Sequence, residues 1–339
     1  MSLLLDRPDS LSISPGTFAN PLYDGADPYV IRHDDLYYSI NTGAGGRIEI
    51  WKSTSLIDRG ECSIVWAPPR WGWNRAEVWA PELHYIRGNW YVYYAASDGK
   101  NCNHRMGVLR CQSEDPQGPY TDLGQLYTGD DIGSKTENRW AIDGTILEQN
   151  DRLFFLWSGW EDDRDIQHLF IAEMSDPTTI ATNRVRLCNN NTHVWEHVGE
   201  DRRQRGLHEG PAMLRRNGRI ILVYSCSGSW QATYKLGMLS MRENADPMIP
   251  GNWTKHPKPV FESTDETFGI GHCSFTTSVD GSEDWILYHA KKSRAEGWDR
   301  HVYAQPFIWN ARGLPEFGKP ITPGQAISIP ANRRTKRAA

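Results

Sequence analysis

Asp143-Gly144-Thr145-Ile146-Leu147, a turn at Asn150-Asp151, and Leu153-Phe154-Phe155-Leu156-Trp157 form the stretch that decides the fold. A polar residue opens a short apolar strand, a tight turn reverses it, and a longer aromatic and aliphatic strand returns. The same order recurs on both sides. Asp27-Pro28-Tyr29-Val30-Ile31 precedes Leu36-Tyr37-Tyr38-Ser39-Ile40, and Glu82-Leu83-His84-Tyr85-Ile86 precedes Trp90-Tyr91-Val92-Tyr93-Tyr94. Glu209-Gly210-Pro211-Ala212-Met213-Leu214 turns at Asn217-Gly218 into Ile220-Ile221-Leu222-Val223-Tyr224. His272-Cys273-Ser274-Phe275 turns at Asp280-Gly281 into Trp285-Ile286-Leu287-Tyr288. The openings lie about sixty residues apart. Asn-Gly and Asp-Gly between apolar runs mark hairpins, because both turn residues need positive φ. Repeats of this length built from strands predict an all-β, five-bladed β-propeller. A solenoid would want shorter, more regular repeats. The expectation is one domain over residues 1–339, with the propeller from about 18 to 320 and the terminal segments covering or closing the ring. The basic tail Arg333-Arg334-Thr335-Lys336-Arg337 reads as disordered.

The first strand of each propeller blade lines the axis, so residues at its start face one another across a funnel. On this reading Asp27, Glu82, Asp143, Glu209 and His272 occupy matching places. Clustered carboxylates cannot all ionise freely, so burial and repulsion push one pKa up. One neutral acid beside one ionised carboxylate is what glycoside hydrolysis requires. An acid at a strand start is otherwise a turn residue or hydrogen-bond acceptor. Glu82 is assigned that structural role, because Trp79-Ala80-Pro81 approaches it rigidly.

Composition narrows the partners. A net charge of −5 argues against nucleic acid, which wants a basic face. No run reaches the length of a membrane span. The 15 Trp and 14 Tyr exceed what a core usually needs and suit sugar faces as well as strands. Six scattered cysteines without a CxxC pair, and a start without a basic region ahead of an apolar one, favour a cytoplasmic protein, with secretion the alternative.

Asn20-Pro21 ahead of Ala26-Asp27-Pro28, then Trp79-Ala80-Pro81-Glu82, Ala141-Ile142-Asp143-Gly144-Thr145 and Glu209-Gly210-Pro211, in this order, resemble glycoside hydrolase family 43. The resemblance implies a five-bladed propeller and an inverting enzyme acting on arabinose- or xylose-containing polysaccharides. It implies Asp27 as general base, Glu209 as general acid, and Asp143 as the residue that raises and orients the acid. Arg300 resembles the arginine that reaches the pocket floor and binds substrate. His272 resembles the axial histidine that contacts a metal ion, usually calcium; no cofactor is required for the chemistry. Trp79, Trp160, Trp230 and His208 are candidate sugar contacts, whereas Arg202, Arg203 and Arg205 read as a solvated loop. The pattern is most similar to α-L-arabinofuranosidases that release terminal α-1,5-linked arabinose from arabinan or its oligosaccharides. A β-xylosidase is the alternative within the family, and a non-catalytic sugar-binding propeller the alternative outside it.

Overall fold

The computed structural model describes residues 15–331, and the basic tail lies outside them. Five antiparallel sheets follow one another along the chain. The first is built from Ala26–His33, Leu36–Thr42, Ile48–Ser53 and Glu61–Trp66. The second runs Ala76–Ile86, Asn89–Ser97, Arg105–Cys111 and Tyr120–Gln125. Ala141–Gln149, Arg152–Trp160 and Gln167–Asp176 make the third, edged by the short Thr179–Ile180 and Val185–Arg186. His208–Arg216, Arg219–Cys226, Lys235–Arg242 and Thr254–Lys255 make the fourth. The fifth takes Gly271–Thr277, Asp284–Lys291 and Arg300–Trp309 from the end of the chain, and its outer strand, Tyr23–Asp24, from the beginning.

Each first strand packs on the first strand of the next sheet, and that of the fifth returns to the first, so the ring is closed. The fold is a five-bladed β-propeller. Its core is five separate apolar layers, one per blade interface. Tyr93 and Met106 meet Phe155 and Trp157 between blades two and three; Trp285 and Leu287 meet Val30 and Tyr37 where blade five meets blade one. Much of the aromatic content is spent here: Trp90, Trp157 and Trp285 are fully buried. Two of the turns follow their sequence signals, whereas at Asp280-Gly281 only Gly281 has positive φ, 74°, in a longer loop between Thr277 and Asp284. Asn150 and Asp151 both have positive φ, at 50° and 61°, as do Asn217 and Gly218, at 49° and 70°.

One feature of the inner strands corrects the expected alignment. Every inner strand carries a β-bulge near its start, where the register with its neighbour slips. Apart from an earlier bulge at Glu77 (φ 50°) in the second blade's inner strand, the residues inside these bulges with left-handed backbone are Asp27 (φ 55°), Ala80 (43°), Asp143 (55°), Gly210 (55°) and His272 (44°). These are the equivalent positions. Glu209 stands one place before the bulge, paired with Ser225, and Glu82 just after one, paired with Tyr93. The four acids therefore do not occupy matching places. Glu82 faces His84, with its Oε2 2.8 Å from Nε2; it does not line the cavity described below, though its charge reaches His272.

Candidate active site

A cavity of about 550 Å³ opens at the end of the ring where the inner strands begin, and Asp27, Asp143, Glu209, His272 and Arg300 all line it. A shallow depression on the hairpin turns around Asn150 and Asn217, and a larger groove of about 1040 Å³ beside blade four, gather no such set. Left-handed backbone at Asp27 and Asp143 breaks the strand's alternation and turns both carboxylates to the axis.

Asp27 is built to stay ionised. The Thr42 hydroxyl accepts the Ala80 N–H at 2.7 Å, which leaves its proton for Asp27 Oδ2, also at 2.7 Å. Arg300 Nη1 stands 3.4 Å from Oδ1. His289 Nδ1 is 3.1 Å from the Asp27 N–H and 3.2 Å from Oδ1, and His272 Nδ1 is 3.4 Å from Oδ1. Burial opposes the charge. The Arg300 guanidinium, then His272 and His289, outweigh it and hold the carboxyl well below the usual range.

Glu209 is under the opposite pressure. Its Oε2 accepts from Gln167 Nε2 at 3.1 Å. The Tyr234 hydroxyl is near enough to favour the charge but makes no hydrogen bond of good geometry. Burial outweighs both and raises the pKa of Glu209. Asp143 accepts the Gly210 N–H at 2.9 Å. Burial pushes it up to about 7, with His272 pulling down and the charges of Glu209 and Asp27 pushing up. One proton is thus readily held on the Asp143–Glu209 side of the cavity. Burial opposes a cation on His272, 3.9 Å from Asp143, but Asp27, Asp143, Glu82 and Glu209 together outweigh it and raise its pKa.

One carboxyl whose pKa is lowered and two whose pKa is raised line a single cavity at the hub of a five-bladed ring. The profile of Glycosyl hydrolases family 43 matches residues 18–315. The chain belongs to glycosyl hydrolases family 43. It is 34% identical over 324 residues to a protein of Streptomyces avermitilis named extracellular exo-α-(1→5)-L-arabinofuranosidase, covering 91% of this chain and 64% of that one. A protein of Streptomyces chartreusis with the same name is 34% identical over 288 residues, 82% of this chain and 84% of that one. The crystal structure of an α-L-arabinofuranosidase from Lactobacillus brevis superposes with a TM-score of 0.82 at 34% identity, covering 91% of this chain and 98% of that one. This chain thus spans just under two thirds of the S. avermitilis protein and nearly all of the L. brevis one.

Within this family 43 site the sugar-contact expectations divide. Trp79 and Trp230 line the cavity. Trp79 is held flat against His104, centroids 3.8 Å apart. Trp160 does not line it. It lies behind Trp140, stacked at 4.7 Å, and Trp140 presents its ring to the cavity. His208 also points away. It precedes Glu209 on an extended strand, so the two side chains take opposite faces. Its ring is fully buried against Tyr224, with Nε2 2.7 Å from Glu196 Oε1. Arg205 is not a free loop residue: it lines the cavity and pairs with Asp165 at 2.8 Å. Trp298, Gln167 and Thr42 are further lining residues that sequence reasoning missed, and His289 is a missed support of Asp27. None of these carries a sequence signal of its own. Among the described residues no group of three His, Cys, Asp or Glu is arranged to hold a metal ion, and the metal contact expected at His272 calls for no such group. The face of His272 carrying Nδ1 is taken by Asp27 and Asp143.

Proposed function

We propose that this chain is an inverting glycosidase that releases terminal α-L-arabinofuranose from α-1,5-linked arabinan or its oligosaccharides. The observation that carries the reading is one cavity lined by Asp27, beside the Arg300 guanidinium that favours its charge, and by Glu209 and Asp143, whose burial favours the protonated form. The names of the relatives at 34% identity support arabinofuranose as the sugar. Glu209 gives its proton to the departing glycosidic oxygen. Asp27 takes a proton from a water that attacks the anomeric carbon from the other side, so the product is inverted. Asp143 shares its proton balance with Glu209 and, through the Gly210 N–H, fixes the backbone that carries it. Arg300 keeps Asp27 charged and offers its guanidinium to a sugar hydroxyl. The chemistry asks for no cofactor.

The same relatives are named extracellular, which supports export and not the cytoplasmic location expected from the scattered cysteines. The six thiols are free.

Hydrolysis of 4-nitrophenyl α-L-arabinofuranoside against the β-D-xylopyranoside tests the sugar. Proton NMR of the first-formed anomer tests the stereochemistry. Preference for the arabinoside with inversion is the expected result, and preference for the xyloside would overturn the arabinose reading. Glu209→Gln is expected to lower kcat on arabinotriose by about 10²–10⁴-fold, and less on the aryl substrate, whose leaving group needs less protonation. A Glu209→Gln protein with full activity on both would remove the acid.

A further inference from the structure

The cavity is roomier than one pentose needs, and its character changes from floor to mouth. The side chains of Asp27, Asp143 and His272 are 11%, 6% and 8% exposed, whereas those of Arg205 and Asp165 are 39% and 38% exposed. These two form the ion pair at the rim. Their place relative to Glu209 is set by the chain. Asp165 stands two residues before Gln167, the donor to Glu209. Arg205 stands four residues before Glu209 itself, and its carbonyl accepts the Val198 N–H at 3.0 Å while the adjacent Gly206 bridges to His197. Asp27 and Arg300 belong to blades one and five, away from this flank.

In an inverting glycosidase the leaving oxygen departs toward the general acid. The sugar attached to that oxygen therefore sits on the flank of Glu209, and the rim there is Asp165 and Arg205. A carboxylate beside a guanidinium places an acceptor next to several donors. That suits vicinal hydroxyls of a neutral sugar: one hydroxyl donates to Asp165 while the neighbouring oxygen accepts from Arg205. A pair this exposed contributes little to holding the fold, so its work lies at the rim.

We propose that the Asp165–Arg205 pair recognises the leaving-group pentose of an arabino-oligosaccharide. The assignment rests on the hydrolase reading above. Its test compares kcat and KM on α-1,5-arabinotriose and on 4-nitrophenyl α-L-arabinofuranoside, whose leaving group has no sugar hydroxyls, for wild type, Arg205→Ala, Arg205→Lys and Asp165→Asn. Arg205→Ala and Asp165→Asn are expected to raise KM for arabinotriose about tenfold, the scale of one lost charge-assisted hydrogen bond. The ratio of kcat/KM for arabinotriose to that for the aryl substrate falls by the same factor, and Arg205→Lys recovers part of it. Equal losses on both substrates, or an unchanged KM for arabinotriose, would overturn the assignment. Asp165→Asn preserves shape, so the comparison survives should Arg205→Ala fold poorly. A wild type that hydrolyses neither substrate overturns the hydrolase reading itself, a result distinct from a lost preference.

Discussion

Asp27 and Asp143 have the same side chain and the same left-handed φ of 55°, yet they lie on opposite sides of their usual pKa. Burial acts on both. What differs is company: Asp27 has Arg300, Thr42 and two histidines, whereas Asp143 has His272 at 3.9 Å and the negative charges of Glu209 and Asp27. The pH dependence follows. With Asp27 as the proposed base, activity is lost as pH falls through its depressed value. With Glu209 as the proposed acid, activity is lost as pH rises through its raised value, with Asp143 titrating beside it at about 7. The kcat/KM profile is expected to be a bell with a broad acid shoulder. Arg300→Gln removes the largest support of the Asp27 charge, so the acid limb is expected to move up by about one pH unit or more. An acid limb that stays in place would show that Arg300 does not set it. Stability carries the reverse imprint at Asp143. Its folded value of about 7 lies above the unfolded value of roughly 3.9, so stability present at low pH is lost as pH rises between the two. Asp143→Asn removes that cost. Its unfolding temperature is expected to exceed wild type by a few degrees at pH 8, the gap closing near pH 4. Calorimetry across that range checks it, and a gap independent of pH would refute the cause.

At the scale of the strand, the bulge decides what reaches the axis. Gly210 has φ 55°, and a Cβ there would lie 3.1 Å from His272 Nδ1, the nitrogen that faces Asp27 and Asp143. Gly210→Ala therefore combines backbone strain with a contact inside the charge cluster, while its N–H serves Asp143. It is expected to cost about 1–3 kcal/mol by denaturant unfolding and to lower kcat in the fraction that folds. A neutral effect on both would mean that the bulge relaxes freely. The bulge also explains what could be read from the sequence. Strand order, hairpin turns and the five-fold repeat were legible because alternation and Asn-Gly or Asp-Gly turns are local signals. One inserted residue shifts the side-chain phase and leaves no such signal. Hence Glu82 and Glu209 looked equivalent to Asp27 when the strand equivalents are Ala80 and Gly210. The same blindness to phase put His208 in the pocket when its neighbour Glu209 had already taken that face. The sequence points to Trp160 where the cavity has Trp140 for a related reason: a ring's rank in a stack depends on blade-to-blade packing. Asp165, Arg205 and Trp298 lie on or beside loops, whose paths follow no period.

At the scale of the molecule, a ring is only as firm as its seam. Blades one to four take all their strands from consecutive sequence, whereas blade five borrows Tyr23–Asp24, bonded to Val302 and His301. Beyond that strand, Thr17–Ala19 pairs with Ala326–Ser328, which ties the two ends of the described chain together. Between these ladders lies Asn20, 2% exposed, whose amide copies a strand partner: Nδ2 donates to the Ala304 carbonyl at 2.9 Å, and Oδ1 accepts the Ala304 N–H at 2.9 Å. The seam matters for function because Arg300 opens the strand that carries Ala304, and Asp27 follows shortly after the borrowed strand. The proposed base and its supporting arginine are thus brought together across the closure. Asn20→Ala leaves a buried N–H and a buried carbonyl without partners, at about 1–3 kcal/mol each. It is expected to lower unfolding stability by roughly 2–4 kcal/mol. Because the closure holds Arg300 on Asp27, activity is expected to fade at lower denaturant than the loss of bulk β-structure. Following kcat and circular dichroism through one urea titration measures both. Coincident loss of the two signals would show the ring opening as one unit, with the seam no weaker than the other four blade interfaces.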